Sequence, residues 1–112
     1  MKTPKVLCVC RNGNSRSVAL AWLLKHKYHL DALAIGIRKN DHDTQDMLYR
    51  WADKIIVLDR RFLSEIPHEF AEKTMAFHVG RDIWFRGYDE KLIETLTQYA
   101  ETTEIGSMRK QK

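Results

Sequence analysis

The sequence predicts a single α/β domain in which a doubly wound, four-stranded parallel sheet is flanked by helices. Strand-like apolar runs alternate along the chain with segments of helical periodicity, an order typical of βαβ units. The 112 residues suffice for one hydrophobic core, and no repeat or linker-like segment divides them, so we expect one domain over 1–112. The composition, 44% hydrophobic and 30% charged, is that of a globular protein.

The first half of the chain alternates regularly. The apolar run KVLCV at 5–9 predicts a buried first strand, and SVALAWLLKHKYH at 17–29 predicts a helix because it contains few helix breakers. ALAIGI at 32–37 predicts a second strand, and DTQDMLYRWAD at 43–53 predicts a second helix. Met47, Leu48 and Trp51 fall on one apolar face of this helix, at i, i+1 and i+4.

The second half continues the same alternation. KIIVLD at 54–59 is rich in β-branched residues and predicts a third strand, and the connection after it is helical or irregular because Pro67 interrupts it. TMAFHV at 74–79 predicts a fourth strand, and DEKLIETLTQYAE at 89–101 predicts an amphipathic helix. The tail, 102–112, is expected to be flexible.

Composition narrows the functional class. No apolar run approaches the roughly 18 residues that span a bilayer, and the N-terminal apolar stretch is too short for a secretory signal, so we expect a cytoplasmic protein without membrane contact. The net charge of +4 is spread along the chain, which predicts no nucleic-acid partner but favours an anionic substrate. Two cysteines and five histidines without ligand spacing predict neither a metal nor another cofactor. We expect Cys8 and Cys10 to point to opposite faces of the first strand and to form no disulfide.

The segment CRNGNSRS, which follows the first strand, carries the chemistry. Asn12, Gly13 and Asn14 tolerate positive φ, so the loop can curl its backbone N–H groups inward and bind an anion. The following helix adds its positive N-terminal end, and Arg16 adds a planar fork suited to two phosphate oxygens. Such surroundings would hold Cys10 as a thiolate. The segment therefore predicts a nucleophile that faces a phosphate-binding loop.

This segment resembles the low-molecular-weight protein tyrosine phosphatases, especially a short subgroup of predicted tyrosine phosphatases. The likeness lies in a cysteine, five residues and Arg-Ser, placed between a first strand and a first helix. WADKIIVLD at 51–59 is similar to the third-strand segment of that family. GRDIWFRGYDEKLIETL at 80–96 resembles its acid loop and last helix. The likeness touches most of 4–100.

The resemblance implies a role for each matching residue of the loop. Cys10 would be the nucleophile, Arg16 would bind the phosphate, and Ser17 would direct its hydroxyl at the thiolate. The remaining substrate-binding positions supply loop backbone, namely Arg11, Asn12, Gly13, Asn14 and Ser15. Several positions depart from the family, with Gly13 in place of a structural asparagine, Ser15 in place of a second cysteine, Val18 in place of a proline after Arg-Ser, and Ile83 in place of a proline in the acid loop.

The resemblance also implies a general acid in the loop after the fourth strand. Asp82 fits its spacing, and Trp84 and Phe85 would grip the substrate ring. Asp89 is the rival acid, although its place before an apolar-periodic run is also that of a helix N-cap. Two roles stay open for Asp59 at the end of the third strand, which could shape the pocket or cap the following segment.

The expected activity is hydrolysis of phosphotyrosine-type monoesters through a phosphocysteine, without a metal. The substrate would be a phosphorylated protein or a small aryl phosphate, and the loop would also bind phosphate or sulfate ions. A catalytically weak module that binds phospho-ligands is the alternative. Arsenate reduction is disfavoured because no cysteine follows Cys10, and a phosphocarrier role is disfavoured because it needs no fork such as Arg16.

Overall fold

Four parallel strands form one sheet in the computed structural model, which describes residues 3–11, 16–77, 90–103 and 105. The strands are β1 (Lys5–Cys10), β2 (Asp31–Gly36), β3 (Lys54–Val57) and β4 (Thr74–Ala76). Their order across the sheet is β2-β1-β3-β4, so β1 and β3 are the two central strands. The predicted four-stranded parallel α/β fold is confirmed.

Helices connect the strands and cover both faces of the sheet. They are α1 (Arg16–His26), α2 (His42–Trp51) and α3 (Glu90–Thr102), together with two short 3₁₀ helices, Arg60–Glu65 and His68–Lys73. The 3₁₀ helices form the connection between β3 and β4. Pro67 separates them: Ile66 before it has the extended backbone that a following proline favours, and the Pro67 carbonyl accepts a hydrogen bond from the Phe70 backbone N–H at 2.9 Å.

Two apolar layers pack against the sheet. The layer on the α1 and α3 face includes Leu20, Leu24, Leu92 and Leu96, and the opposite layer is formed beneath α2 and the 3₁₀ helices. The members of the second layer are Leu7, Val9, Ile35, Tyr49, Ala52, Ile55, Val57, Phe62, Ile66 and Phe70. Burial on both faces explains why the central strands read as continuous apolar runs.

Cys8 and Cys10 lie on the same face of β1, so the expectation that they point to opposite faces is wrong. Side chains alternate along a strand, which places residues two apart on one face. Both cysteines pack in the α1/α3 layer, whereas Leu7 and Val9 face the other layer. Both are thiols, without a disulfide between them.

The buried face of α2 also differs from its apolar face. Met47 is 66% exposed, and the helix is anchored instead by Gln45 and Tyr49, one turn apart. The Gln45 amide donates to the carbonyl of Asn40 at 2.7 Å, and the Tyr49 hydroxyl donates to the Gln45 side chain at 3.0 Å. Leu48 and Trp51 are partly buried against the same layer.

The strand order predicts a crevice between β1 and β3 at the carboxyl end of the sheet, which we call the β1/β3 crevice. The chain leaves β1 through α1 toward β2, whereas it leaves β3 through the 3₁₀ helices toward β4 on the other side. The connections that follow the two central strands therefore diverge, and ligands of open α/β sheets bind at such a point. Among the described residues, no helix combines the length and apolarity needed to cross a bilayer.

Candidate active site

The β1–α1 connection brings Cys10 and Ser17 together at the β1/β3 crevice. Cys10 is the last residue of β1, and Ser17 lies in the first turn of α1. Their Sγ and Oγ atoms are 3.0 Å apart, and both side chains are buried. A hydroxyl at this distance can donate a hydrogen bond to a thiolate and stabilise its charge where water is scarce.

The side chain of Arg16 crosses from α1 to the carboxyl end of β3. It is almost fully buried, and its Nη1 donates to the carbonyl oxygen of Leu58 at 3.4 Å. The same Nη1 lies 3.9 Å from Oδ2 of Asp59. A buried guanidinium is costly without an opposing charge, so the carboxylate next to it helps to explain how Arg16 is held inside the crevice.

Asp59 is buried and is held chiefly by Arg61. Its Oδ1 accepts from the Arg61 backbone N–H at 2.9 Å, which caps the first 3₁₀ helix. The Arg61 Nε lies 3.1 Å from both carboxylate oxygens, and Nη2 lies 2.6 Å from Oδ2. Hydrogen bonds from Arg61, with a smaller contribution from the charge of Arg16, lower the pKa of Asp59 to about 2. The carboxylate is therefore ionised at neutral pH.

Of the two roles left open for Asp59, the structure shows the capping role and also places the carboxylate beside Arg16. The contribution of Arg61 was missed in the sequence. The sequence carries no distinctive signal for this contact, because an arginine that follows a strand at this distance looks the same as one that is only solvated.

Arg11 begins the loop, and its backbone extends the pairing of β1 with β2. The Ile37 N–H donates to the Cys10 carbonyl at 2.9 Å, and the Arg38 N–H donates to the Arg11 carbonyl at 2.8 Å. The Arg11 side chain is exposed. The remaining predicted positions lie outside the described residues, namely Asn12, Gly13, Asn14, Ser15, Asp82, Trp84, Phe85 and Asp89.

Cys8 lies deeper in the sheet than Cys10. It is fully buried, and burial raises the pKa of its thiol, with a further contribution from the nearby Cys10. A buried thiol with a raised pKa remains protonated and unreactive. The two cysteines therefore differ in position: Cys10 alone ends the strand and contacts Ser17.

Metal binding finds no support in the part of the chain that the structure describes. Within those ranges, no three side chains of histidine, cysteine, aspartate or glutamate are grouped so that they could hold a metal ion. Among the described residues, this end of the sheet includes the Cys10 thiol, the Ser17 hydroxyl and the buried Arg16 guanidinium. Donors and cations of this kind suit an oxyanion.

Comparison with solved structures relates this fold to bacterial tyrosine phosphatases. The chain is similar to the Erwinia amylovora tyrosine phosphatase AmsI, with a TM-score of 0.68, 18% identity and coverage of 89% of this chain and 90% of that chain. It is also similar to Vibrio vulnificus Wzb in complex with benzylphosphonate, with a TM-score of 0.66, 18% identity and coverage of 91% and 100%. The tyrosine phosphatase Wzb from Escherichia coli K30, in complex with sulphate, matches with a TM-score of 0.64, 18% identity and coverage of 89% and 98%.

The chain therefore has the fold of the low-molecular-weight tyrosine phosphatases, and the resemblance predicted from the sequence is confirmed at the level of the fold. No protein-family model and no curated protein matches the chain.

Proposed function

We propose that this protein is a cysteine-dependent phosphatase that hydrolyses phosphotyrosine-type phosphate monoesters through a phosphocysteine. The observation that carries the proposal is the 3.0 Å contact between Cys10 Sγ and Ser17 Oγ, with the buried Arg16 side chain at the carboxyl end of the neighbouring strand β3. A nucleophile, a donor to its thiolate and a fork for oxyanions are the groups that this reaction requires.

In the first step, the Cys10 thiolate attacks phosphorus. A P–S bond forms while the P–O bond to the phenol breaks, and Asp82 gives its proton to the departing oxygen. The backbone N–H groups of 11–15 surround the three equatorial oxygens of the transferring phosphoryl group, and Arg16 binds two of them. Trp84 and Phe85 hold the aromatic ring of the substrate.

In the second step, water attacks the phosphocysteine. The P–S bond breaks, the ionised Asp82 accepts a proton from the water, and phosphate is released. The leaving group is the Cys10 thiolate, and a hydrogen bond from Ser17 stabilises its charge. This donor therefore acts most strongly when the sulfur is anionic, which lowers the barrier to hydrolysis of the intermediate.

Ligands of the structural neighbours support an anion-binding role. Wzb from Escherichia coli K30 was crystallised with sulphate and with phosphate, and Vibrio vulnificus Wzb with benzylphosphonate. By analogy, phosphate or sulfate would bind between the 11–15 loop and Arg16 in this protein. Benzylphosphonate joins a phosphonate to an aromatic ring, which fits the aryl phosphate class of substrate proposed here.

Turnover of p-nitrophenyl phosphate, measured with and without EDTA, tests the proposal. We expect metal-independent turnover that Cys10→Ser abolishes, because a hydroxyl cannot replace the thiolate nucleophile. Cys8→Ser is the matched control, since it makes the same change on the same face of β1 and should keep most of the activity. Thermal unfolding of both variants separates a chemical effect from a loss of folding.

Two results would contradict the proposal. Comparable losses in both folded cysteine variants would indicate a redox function of the Cys8–Cys10 pair. Phosphate binding without any turnover by the wild-type protein would indicate a module that binds phospho-ligands.

A further inference from the structure

We propose that Asp59, held by Arg61, is a positioning residue for the Arg16 guanidinium. This inference rests on the proposed function and adds two residues to it. Arg61 would keep the carboxylate close enough to orient Arg16 but too distant to occupy the fork that must receive the phosphoryl oxygens. Asp59 and Arg61 would act together, and neither would touch the substrate phosphate.

The distances around Oδ2 of Asp59 carry the argument. Arg61 Nη2 lies 2.6 Å from this oxygen, which is a short charge-assisted hydrogen bond, whereas Arg16 Nη1 lies 3.9 Å away. The second distance is too long for a hydrogen bond but short for two charges in a buried crevice. The same Arg16 nitrogen also lies 3.4 Å from the Leu58 carbonyl, so two oxygens at the end of β3 attract it from one side.

The burial of the three residues differs in a way that fits these roles. Arg16 and Asp59 are each about 1% exposed, whereas the Arg61 side chain is 66% exposed. The exposed arginine reaches inward to the carboxylate, and its backbone N–H binds the same group. Asp59 is therefore fixed from the solvent side, and the buried Arg16 is attracted from within.

A carboxylate beside the phosphate fork has two opposing effects. Its negative charge repels a phosphate dianion, which weakens binding of the ground state. Its attraction for Arg16 fixes the orientation of the fork, which matters most for the three equatorial oxygens of the trigonal-bipyramidal transition state. The proposal thus predicts that loss of the charge lowers kcat without weakening phosphate binding. General damage to the fold would impair both.

Asp59→Asn is the primary test, because asparagine keeps an oxygen that can cap the 3₁₀ helix. We expect kcat for p-nitrophenyl phosphate to fall about 10- to 100-fold, the scale of a misplacement near 1 Å. The inhibition constant of inorganic phosphate should stay level or decrease. Affinity for vanadate, which adopts the trigonal-bipyramidal geometry on a thiolate, should fall with kcat.

Arg61→Ala has a different expected result. Without the hydrogen bonds from Arg61, the Asp59 carboxylate can turn to Arg16 and occupy the guanidinium that must bind phosphate. We therefore expect kcat to fall and the inhibition constant of phosphate to rise. Adding Asp59→Asn to this variant should reverse the rise, because the blocking carboxylate is then absent. Arg60→Ala is the matched control: it removes the neighbouring exposed arginine and should leave kcat and phosphate inhibition unchanged.

A double-mutant cycle with Arg16→Lys completes the test. If Asp59 acts through Arg16, Asp59→Asn should reduce vanadate affinity much less in the Lys background than in the wild type. Equal reductions in both backgrounds would overturn the proposal. A kcat of Asp59→Asn within twofold of the wild-type value would also overturn it. The same holds if the inhibition constant of phosphate for Asp59→Asn rises as its kcat falls.

The proposed function fails separately from this inference. A wild-type protein that binds phosphate and vanadate but hydrolyses no aryl phosphate would refute the phosphatase activity. In that case, calorimetric titration of vanadate and phosphate with the same variants would still decide the role of Asp59. A wild-type protein that binds neither anion would refute both.

Discussion

The contact between Ser17 and Cys10 yields a prediction with a defined magnitude. Ser17→Ala removes the hydroxyl that lies 3.0 Å from the Cys10 sulfur in a buried setting. A hydrogen bond to a charged group contributes about 1.5–3 kcal/mol. At about 1.4 kcal/mol per decade of rate, its loss should slow the thiolate-releasing step about 10- to 150-fold. We therefore expect kcat to fall within that range.

The step that becomes slow can be identified by rapid mixing. Because the missing donor stabilises the leaving thiolate, hydrolysis of the phosphocysteine should become rate-limiting, and p-nitrophenolate should appear in a burst of about one equivalent per active site. Ser64→Ala, a change of the same kind at an exposed serine, should leave both phases unchanged. A Ser17→Ala enzyme within twofold of wild type in kcat, or one that loses activity without a burst, would refute this account of Ser17.

Three further predictions concern charged groups. Arg16→Lys should lose most of the activity, although the charge is kept, because a point charge cannot make two contacts with equatorial oxygens; steady-state kinetics with near-normal kcat would remove Arg16 from the transition state. Asp82→Asn should lower p-nitrophenyl phosphate turnover by about 10² to 10⁴, with a smaller loss for esters of more acidic phenols. Asp89→Asn should have little effect, and the reverse pattern would make Asp89 the acid. Folding lowers the pKa of Asp59 to about 2, so the ionised carboxylate contributes about 2 kcal/mol to the free energy of unfolding. This contribution should be complete above pH 5 and lost as the pH falls toward 2. Urea unfolding of Asp59→Asn should lack this component of the decline, and identical pH dependence in the two proteins would contradict it.

Strong local patterns made most of the fold predictable. The strand expected at 5–9 is observed at Lys5–Cys10, and the run at 54–59 contains β3 at Lys54–Val57. Both runs are apolar at every central position because the strands are buried on two faces, and this pattern allows few alternative assignments. The strand predicted at 74–79 contains β4 at Thr74–Ala76, and its positions 78 and 79 lie outside the described residues. The Phe77 N–H still donates to the Val57 carbonyl, so the pairing with β3 continues one residue beyond Ala76.

The face of α2 was harder to predict because hydropathy alone does not reveal hydrogen bonds. Met47 is apolar but lies on the solvent side, and Gln45 is polar but buried. The Gln45 amide contacts two carbonyl groups of the preceding loop, at Ile37 and Asn40, which satisfies its donor inside the protein. This tertiary arrangement leaves no sign in the spacing of apolar residues.

The sequence predicts the part of the candidate site in which chain connectivity brings two residues together. It does not predict contacts that depend on how a side chain is oriented. A strand, a short loop and a helix must bring the residues at their junctions together, and Cys10 and Ser17 meet in this way. The ion pair between Asp59 and Arg61 depends instead on the side-chain conformation of an exposed arginine. In the sequence, an arginine after a strand is indistinguishable from one that is only solvated.

Direct detection of a covalent phosphocysteine tests whether the reaction proceeds through Cys10. Wild-type protein, or Ser17→Ala if the intermediate is too brief, would be mixed with p-nitrophenyl phosphate, quenched in acid within milliseconds and analysed by peptide mass spectrometry. We expect one phosphoryl group on the sulfur of Cys10, none on Cys8, and none on either residue in Cys10→Ser. Turnover with no labelled Cys10 at any quench time, or a phosphoryl group on a different side chain, would contradict it.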